Sequence, residues 1–335
     1  MGSRKGLWLG LTLGFIALTA IGFLTVKLAI NIASKARLFE LADIESLACS
    51  PDGTFVAAGH RDGRLTLWDS STGKRIFTSR VNRESIEELT VSRDGRYIAA
   101  GQRYDNARGL VCIYDRSSDR WIARFEDACF YPAVAFHPSL PVLAWSTMDD
   151  SIALWDVAAN RELRRLASKK LRPSAFAFSP DGRTLAIAAL ETKEFHGHSI
   201  AIWDIESDKI VSELKGHTTW PEELTFTPDG VQLGSMSSGD FPIVWNLKTF
   251  QPEQKLVHKT WRPSSLSFAP GRSTVFLVVD DGSLREYSFR DGAMVKQWSQ
   301  RDEESGGARR VRCDPKGKFV AYSSGSSVFF KPLGP

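Results

Sequence analysis

The chain has 335 residues, with 43 Lys plus Arg against 39 Asp plus Glu and a formal charge of +4. Residues 1–36 hold Arg4, Lys5, Lys27 and Lys35 and no acid, so the remainder carries 39 bases against 39 acids. A neutral body lacks the basic surplus that displaces counterions from phosphates, which argues against nucleic acid as a partner; 42% hydrophobic and 24% charged residues describe a globular chain, not a disordered one.

The first element is apolar. From Leu7 to Val26 twenty consecutive residues carry no charge, and at about 1.5 Å per residue they span roughly 30 Å, the thickness of a bilayer's hydrocarbon core. The run predicts a transmembrane α-helix within residues 1–30, followed by a linker over 31–36. A cleaved secretory signal is the alternative, with Ser34-Lys35-Ala36 as its small-x-small site. The run exceeds the usual apolar region of about 7 to 15 residues, which favours an uncleaved anchor. Basic residues flank both ends, so the positive-inside rule is nearly tied. Retention of the short basic tail in the cytoplasm would put the body on the non-cytoplasmic side.

Next comes a lone strand-like segment, Arg37-Leu38-Phe39-Glu40-Leu41, and after it the chain repeats seven times. The marker is a turn tetrad: Ser50-Pro51-Asp52-Gly53, Ser92-Arg93-Asp94-Gly95, His137-Pro138-Ser139-Leu140, Ser179-Pro180-Asp181-Gly182, Thr227-Pro228-Asp229-Gly230, Ala269-Pro270-Gly271-Arg272 and Asp314-Pro315-Lys316-Gly317. Its second positions are 42, 45, 42, 48, 42 and 45 residues apart. Before each marker, apolar residues alternate with small ones, as in Leu47 and Cys49 or Phe176 and Phe178, which is the period of a strand. After it come Trp68-Asp69, Tyr114-Asp115, Trp155-Asp156, Trp203-Asp204 and Trp245-Asn246, then the degraded Tyr287-Ser288 and Phe330-Lys331.

From Arg37 to Pro335 this pattern resembles the WD-repeat family of β-propellers, although the family's Gly-His dipeptide stands only at Gly216-His217. The resemblance implies an all-β, seven-bladed β-propeller over residues 37–335, preceded here by one transmembrane α-helix. Too few residues follow Phe330 for the outer strand of blade seven, so residues 37–41 are expected to supply it and close the ring. By similarity to the family, the anchor then enters at the rim of the face carrying the turn tetrads, and the opposite face points away from the lipid. The resemblance also gives His217 and Trp245 a role in an internal hydrogen-bonding set. Cys49 and Cys313 take a position filled by Phe in four other repeats, which predicts small core residues.

Function is sought on that opposite face. Two turns between second and third strands are enlarged, around Arg103-Tyr104-Asp105-Asn106 and from Glu191 to His198. Where inner strands begin, blades three to six bring Tyr131-Pro132, Arg172-Pro173, Trp220-Pro221 and Trp261-Arg262-Pro263, an arc of aromatics and arginines around the channel mouth. Tyr131, Arg172, Trp220, Trp261, Arg262 and Tyr104 are therefore the candidate partner-binding residues. Capping of the core between blades is the competing role for the two tryptophans. His196 and His198 point the same way on a strand-like H-x-H, but a metal site lacks a third ligand. Glu88, Glu223, Arg310 and Arg312 suggest ion pairs near the channel, and Asp62, Asp149 and Asp281, each six residues before its aromatic, suggest turn braces. No nucleophile-base grouping, phosphate loop, H-E-x-x-H, G-x-S-x-G or N-x-Ser/Thr sequon occurs. The reading is a single-pass membrane-tethered, non-enzymatic scaffold for protein partners, without metal or cofactor and with the lipid bilayer contacted through residues 7–26. An enzyme or small-ligand binder with its site at the channel mouth is the alternative.

Overall fold

The computed structural model describes residues 43–103, 108–166, 172–190, 198–237, 239–256, 263–298 and 308–334. The anchor at 7–26, the linker and the closing segment at 37–41 lie outside the described residues. Among the described residues no helix is long and apolar enough to cross a membrane.

The body from Asp43 is a seven-bladed β-propeller. Six sheets have four antiparallel strands in sequence order, and the seventh, from Ala308 to Pro332, has three among the described residues. In blade one the inner strand is Ile44–Cys49, followed by Phe55–His60, Arg64–Asp69 and the outer strand Arg75–Arg80.

The repeated motifs are the turn chemistry of this sheet. In the tetrad after the first inner strand, Gly53 N–H donates to Ser50 O (2.9 Å), the Ser50 hydroxyl accepts from Phe55 N–H (3.0 Å), and Asp52 accepts from Thr54 N–H (3.0 Å). Gly53 sits at φ 72°, a left-handed conformation that favours glycine. The same hydroxyl-to-backbone bond recurs at Ser92, Ser179 and Thr227. Blade six instead has Pro270 then Gly271 at φ 71°, the order of a type II turn. The acid of each Trp-Asp pair has a local task too: Asp69, Asp115, Asp156 and Asp204 accept backbone N–H groups of the turn into the outer strand.

The core lies between blades rather than within them. Between blades one and two, Phe55, Leu65 and Leu67 pack against Ile86, Leu89, Ile98 and Tyr114. Blade seven meets blade one in the same way, with Phe319, Ala321 and Val328 against Ile44, Leu47, Val56 and Ala58, so the core is continuous around the ring. Each such fully buried Leu, Ile or Phe is worth about 1.5–3 kcal/mol. Cys313 is buried at its expected inner-strand position and Cys49 is half-buried at the equivalent one; both are free thiols. Burial pushes the Cys313 thiol up to about 12, which makes it inert.

Candidate functional site

The channel mouth is built by a repeated backbone irregularity. Six of the seven inner strands carry a β-bulge in their first residues, between Ile44 and Ser46, Ile86 and Glu88, Pro173 and Ala175, Pro221 and Glu223, Pro263 and Ser265, and Ala308 and Val311. A bulge frees one residue from the ladder and re-aims its neighbours. The freed residues include Glu45, Glu87, Ser174, Glu222 and Ser264, which gather polar groups where the strands open to the mouth.

These residues anchor the face. Glu45 accepts from Arg61 (2.6 Å) and lies 3.4 Å from Arg309, which also pairs with Asp43 (3.0 Å). Glu87 accepts from Arg103 (2.7 Å), at the end of the second strand of blade two. The guanidinium of Arg103 in turn lies over the ring of Tyr131 from blade three, 5.4 Å from its centroid, and Phe130 meets that ring edge-on at 4.7 Å. Blade five repeats the arrangement with other residues. The Trp220 indole donates to Glu222 (3.1 Å), and His198 of blade four meets it edge-on at 6.0 Å.

Tyr131 is 55% exposed and Trp220 49%, so neither caps the core between blades. Each is braced by a residue at the root of an enlarged turn, Arg103 for one and His198 for the other. Two separate sequence features thus meet at the same aromatics. Arg172 begins the inner strand of blade four, and its side chain lies outside the described part, as do Tyr104, Trp261, Arg262, His196 and Glu191 entirely. Among the described residues no group of three His, Cys, Asp or Glu is placed to hold a metal ion.

Deeper in the channel, the expected ion pairs form only in part. Arg312 donates to Glu223 across blade six, bridging blades seven and five, and Glu223 also accepts from Leu266 N–H (3.1 Å) and the Ser265 hydroxyl (3.3 Å). Arg310 spends its guanidinium on two carbonyls, Glu45 O (2.5 Å) and Ser264 O (3.0 Å). Glu88 occupies on blade two the position that Glu223 holds on blade five, and makes no ion pair among the described residues. Removal from bulk water pushes its carboxyl up to about 7, against the pull of Arg312.

The internal set of blade five is in place. His217 and Trp245 share the hydroxyl of Ser235, at 2.6 and 2.7 Å, and His217 Nδ1 lies 3.4 Å from Asp240. Blade one builds a parallel arrangement from different positions, with His60 at 2.9 Å and Trp68 at 3.0 Å from the Thr66 hydroxyl. Asp62, Asp149 and Asp281 brace their turns, each accepting the N–H two residues on. Sequence reasoning missed Arg61, Glu45 and Glu87, and placed Arg103 in an enlarged turn without its pairing to Glu87. Their signal was present: in repeats one and two a Glu stands six residues before the marker's second position and an Arg ten after it.

Comparison with known proteins agrees on the fold. Residues 17–94 match the model of the anaphase-promoting complex subunit 4 WD40 domain. Over 149 residues the chain is 24% identical to U3 small nucleolar RNA-associated protein 21 of Saccharomyces cerevisiae, covering 44% of this chain and only 15% of that protein's length. Among solved structures, the β-propeller domain of Cps50 (Swd1) from Myceliophteria thermophila is similar with a TM-score of 0.73 and 17% sequence identity, covering 88% of this chain and 98% of that one. The structural likeness agrees with the β-propeller fold of the body, and the WD40 domain model matches only its first part.

Proposed function

We propose that the protein is a membrane-tethered, non-enzymatic platform that holds a protein partner, as an accessory subunit of a membrane complex, on the face bearing Tyr131 and Trp220. The carrying observation is the pair of exposed aromatics, each held by a charged or aromatic neighbour from the preceding blade. Such side chains lose little freedom on binding, and Tyr, Trp and Arg supply most of the energy of small binding epitopes. By sequence position alone, Arg172, Trp261, Arg262 and Tyr104 are assigned to the same face. Propellers of this repeat type commonly act as binding scaffolds. The tether is residues 7–26, an uncleaved single span, with the propeller on the non-cytoplasmic side and residues 37–41 as the outer strand of blade seven.

The test is crosslinking in native membranes followed by purification of the full chain and of Tyr131→Ala/Trp220→Ala. The partner should be lost from the double variant while its unfolding temperature stays within a few degrees of the parent. Undiminished co-purification would sink the assignment of this face. A reporter fused at Pro335 reads the side of the membrane.

A further inference from the structure

The unpaired Glu88 faces a void. Inside the channel a cavity of about 230 Å³ is lined by Glu88, Thr90, Ala135, Ala177, Glu223 and Arg312 among others. That is several times the ~30 Å³ a water occupies in the liquid. Blades three and four wall it with alanines, and the ionisable groups come from blades two, five and seven.

The donors and acceptors around this void are unequally spent. Arg310 is bound to two backbone carbonyls, and Arg312 is bound to Glu223, Ser265 Oγ (3.3 Å) and its neighbour's carbonyl at Val311 (2.7 Å). Glu223 is filled by Arg312, Ser265 and Leu266. Thr90 accepts from Phe136 N–H at 3.2 Å. Among the described residues Glu88 alone of the four charged channel groups has no hydrogen-bond partner. Such a carboxyl in a confined space favours a donor that brings positive charge, since charge-assisted bonds are about twice as strong as neutral ones.

We propose that this cavity binds the cationic end of a ligand, an alkylammonium or guanidinium group, with Glu88 as its counter-ion and the methyl groups of Ala135 and Ala177 against the aliphatic stem. The cavity shares Glu222 with the rim, where that carboxylate accepts from Trp220, but its occupant is tested independently of the rim's partner. The charged groups that act on Glu88 are Arg312, Glu223, Arg310 and Glu87, and Glu222 also lines the cavity. With the free carboxyl titrating at about 7, a cation must expel a proton to bind at lower pH, so its affinity falls as pH falls.

Alanine-methyl resonances of the full-length protein, titrated with n-propylammonium, provide the test. At pH 8 the Ala135 and Ala177 signals should shift saturably, and the apparent affinity should drop about tenfold at pH 6, because the ligand stays protonated while most of Glu88 becomes neutral. n-Propanol and propionate should produce no saturable shift. Glu88→Gln should abolish the response and its pH dependence while melting at pH 8 no lower than the parent, and Ala177→Leu should block entry with Glu88 intact. Blocked lysine, Nα-acetyl-lysine N-methylamide, separates the two sources of the cation: binding by it points to a partner's side chain, and binding by the free amine alone points to a small metabolite. Saturation by propionate, an undiminished response in Glu88→Gln, or no saturable shift with n-propylammonium would each overturn the proposal, and wild-type selectivity and pH dependence decide it even if a variant misfolds.

Discussion

At the scale of single residues, Ser235 shows how one hydroxyl serves two buried donors. It takes the Trp245 N–H and sits against His217 Nε2, while Asp240 closes the far side by accepting from Thr218 and Phe241 N–H groups at 2.8 Å each. Burial holds the His217 imidazole down to about 4, although Asp240 pulls the other way and Lys255 and His198 add to the depression. The folded state therefore resists a proton that the unfolded chain accepts near 6.5. Stability from this residue is complete above pH 6.5 and is lost as pH falls towards 4, by an amount on the order of 3 kcal/mol. Burial also opposes ionisation of Asp240, but its two backbone hydrogen bonds outweigh that effect and keep it ionised across the window. The raised carboxyl of Glu88 works in the opposite sense over the same window, so the test is a difference: in chemical denaturation His217→Asn should gain stability relative to the parent as pH falls from 7 to 5. An unchanged difference between parent and variant would mean that His217 titrates alike in the folded and unfolded chain. His217 and Trp245 were legible through the one Gly-His dipeptide and the repeated aromatic. Ser235 and the parallel His60–Thr66–Trp68 set were not, because their residues meet only once strand pairing puts neighbouring strands in register.

At the scale of elements, alternation and turn chemistry made the strands readable, but not the bulges. A bulge is decided by how two strands pair, and nothing in a run such as Ile86-Glu87-Glu88 states which residue will be the extra one. Among the described residues the third strand of blade seven, Ser327–Pro332, is the outermost of its sheet and lies beside a groove of about 940 Å³ lined by Trp68, Phe319, Val328, Phe329 and Phe330. Elsewhere the chain leaves an outer strand by hydrogen-bonding over the second-to-third-strand turn of the same blade, as Val81 N–H does to Gly63 O (3.3 Å) and Leu256 N–H to Pro242 O (3.0 Å). Ile44 N–H makes the corresponding bond to Gly325 O of blade seven, at 2.9 Å. Deleting residues 37–41 should expose the edge, lower the unfolding temperature by ten degrees or more and produce aggregation visible in light scattering. A monodisperse product with parental stability would exclude these residues as the closing strand.

At the scale of the whole molecule, each blade buries its faces against its neighbours, and one charged hydrogen bond reaches past the adjacent blade. The repeat spacing made the ring legible, and the aromatics near the strand starts marked its mouth. The unequal fate of Glu88 and Glu223 was hidden, because equivalent repeat positions say nothing about which arginine lies across the void. Arg312 reaches over blade six to Glu223, so one charged hydrogen bond couples blades seven and five, on either side of the blade that contributes Ser265. Removing one partner strands the other in a confined site, which costs more than the pair itself contributes. Arg312→Met should therefore destabilise the propeller by about 2–3 kcal/mol, and adding Glu223→Gln should recover much of that loss, since glutamine still accepts the Leu266 N–H without a charge. Denaturant melts of the parent, both single variants and the double variant measure the coupling directly. Additive losses would show that the two side chains act separately, each on its own neighbours.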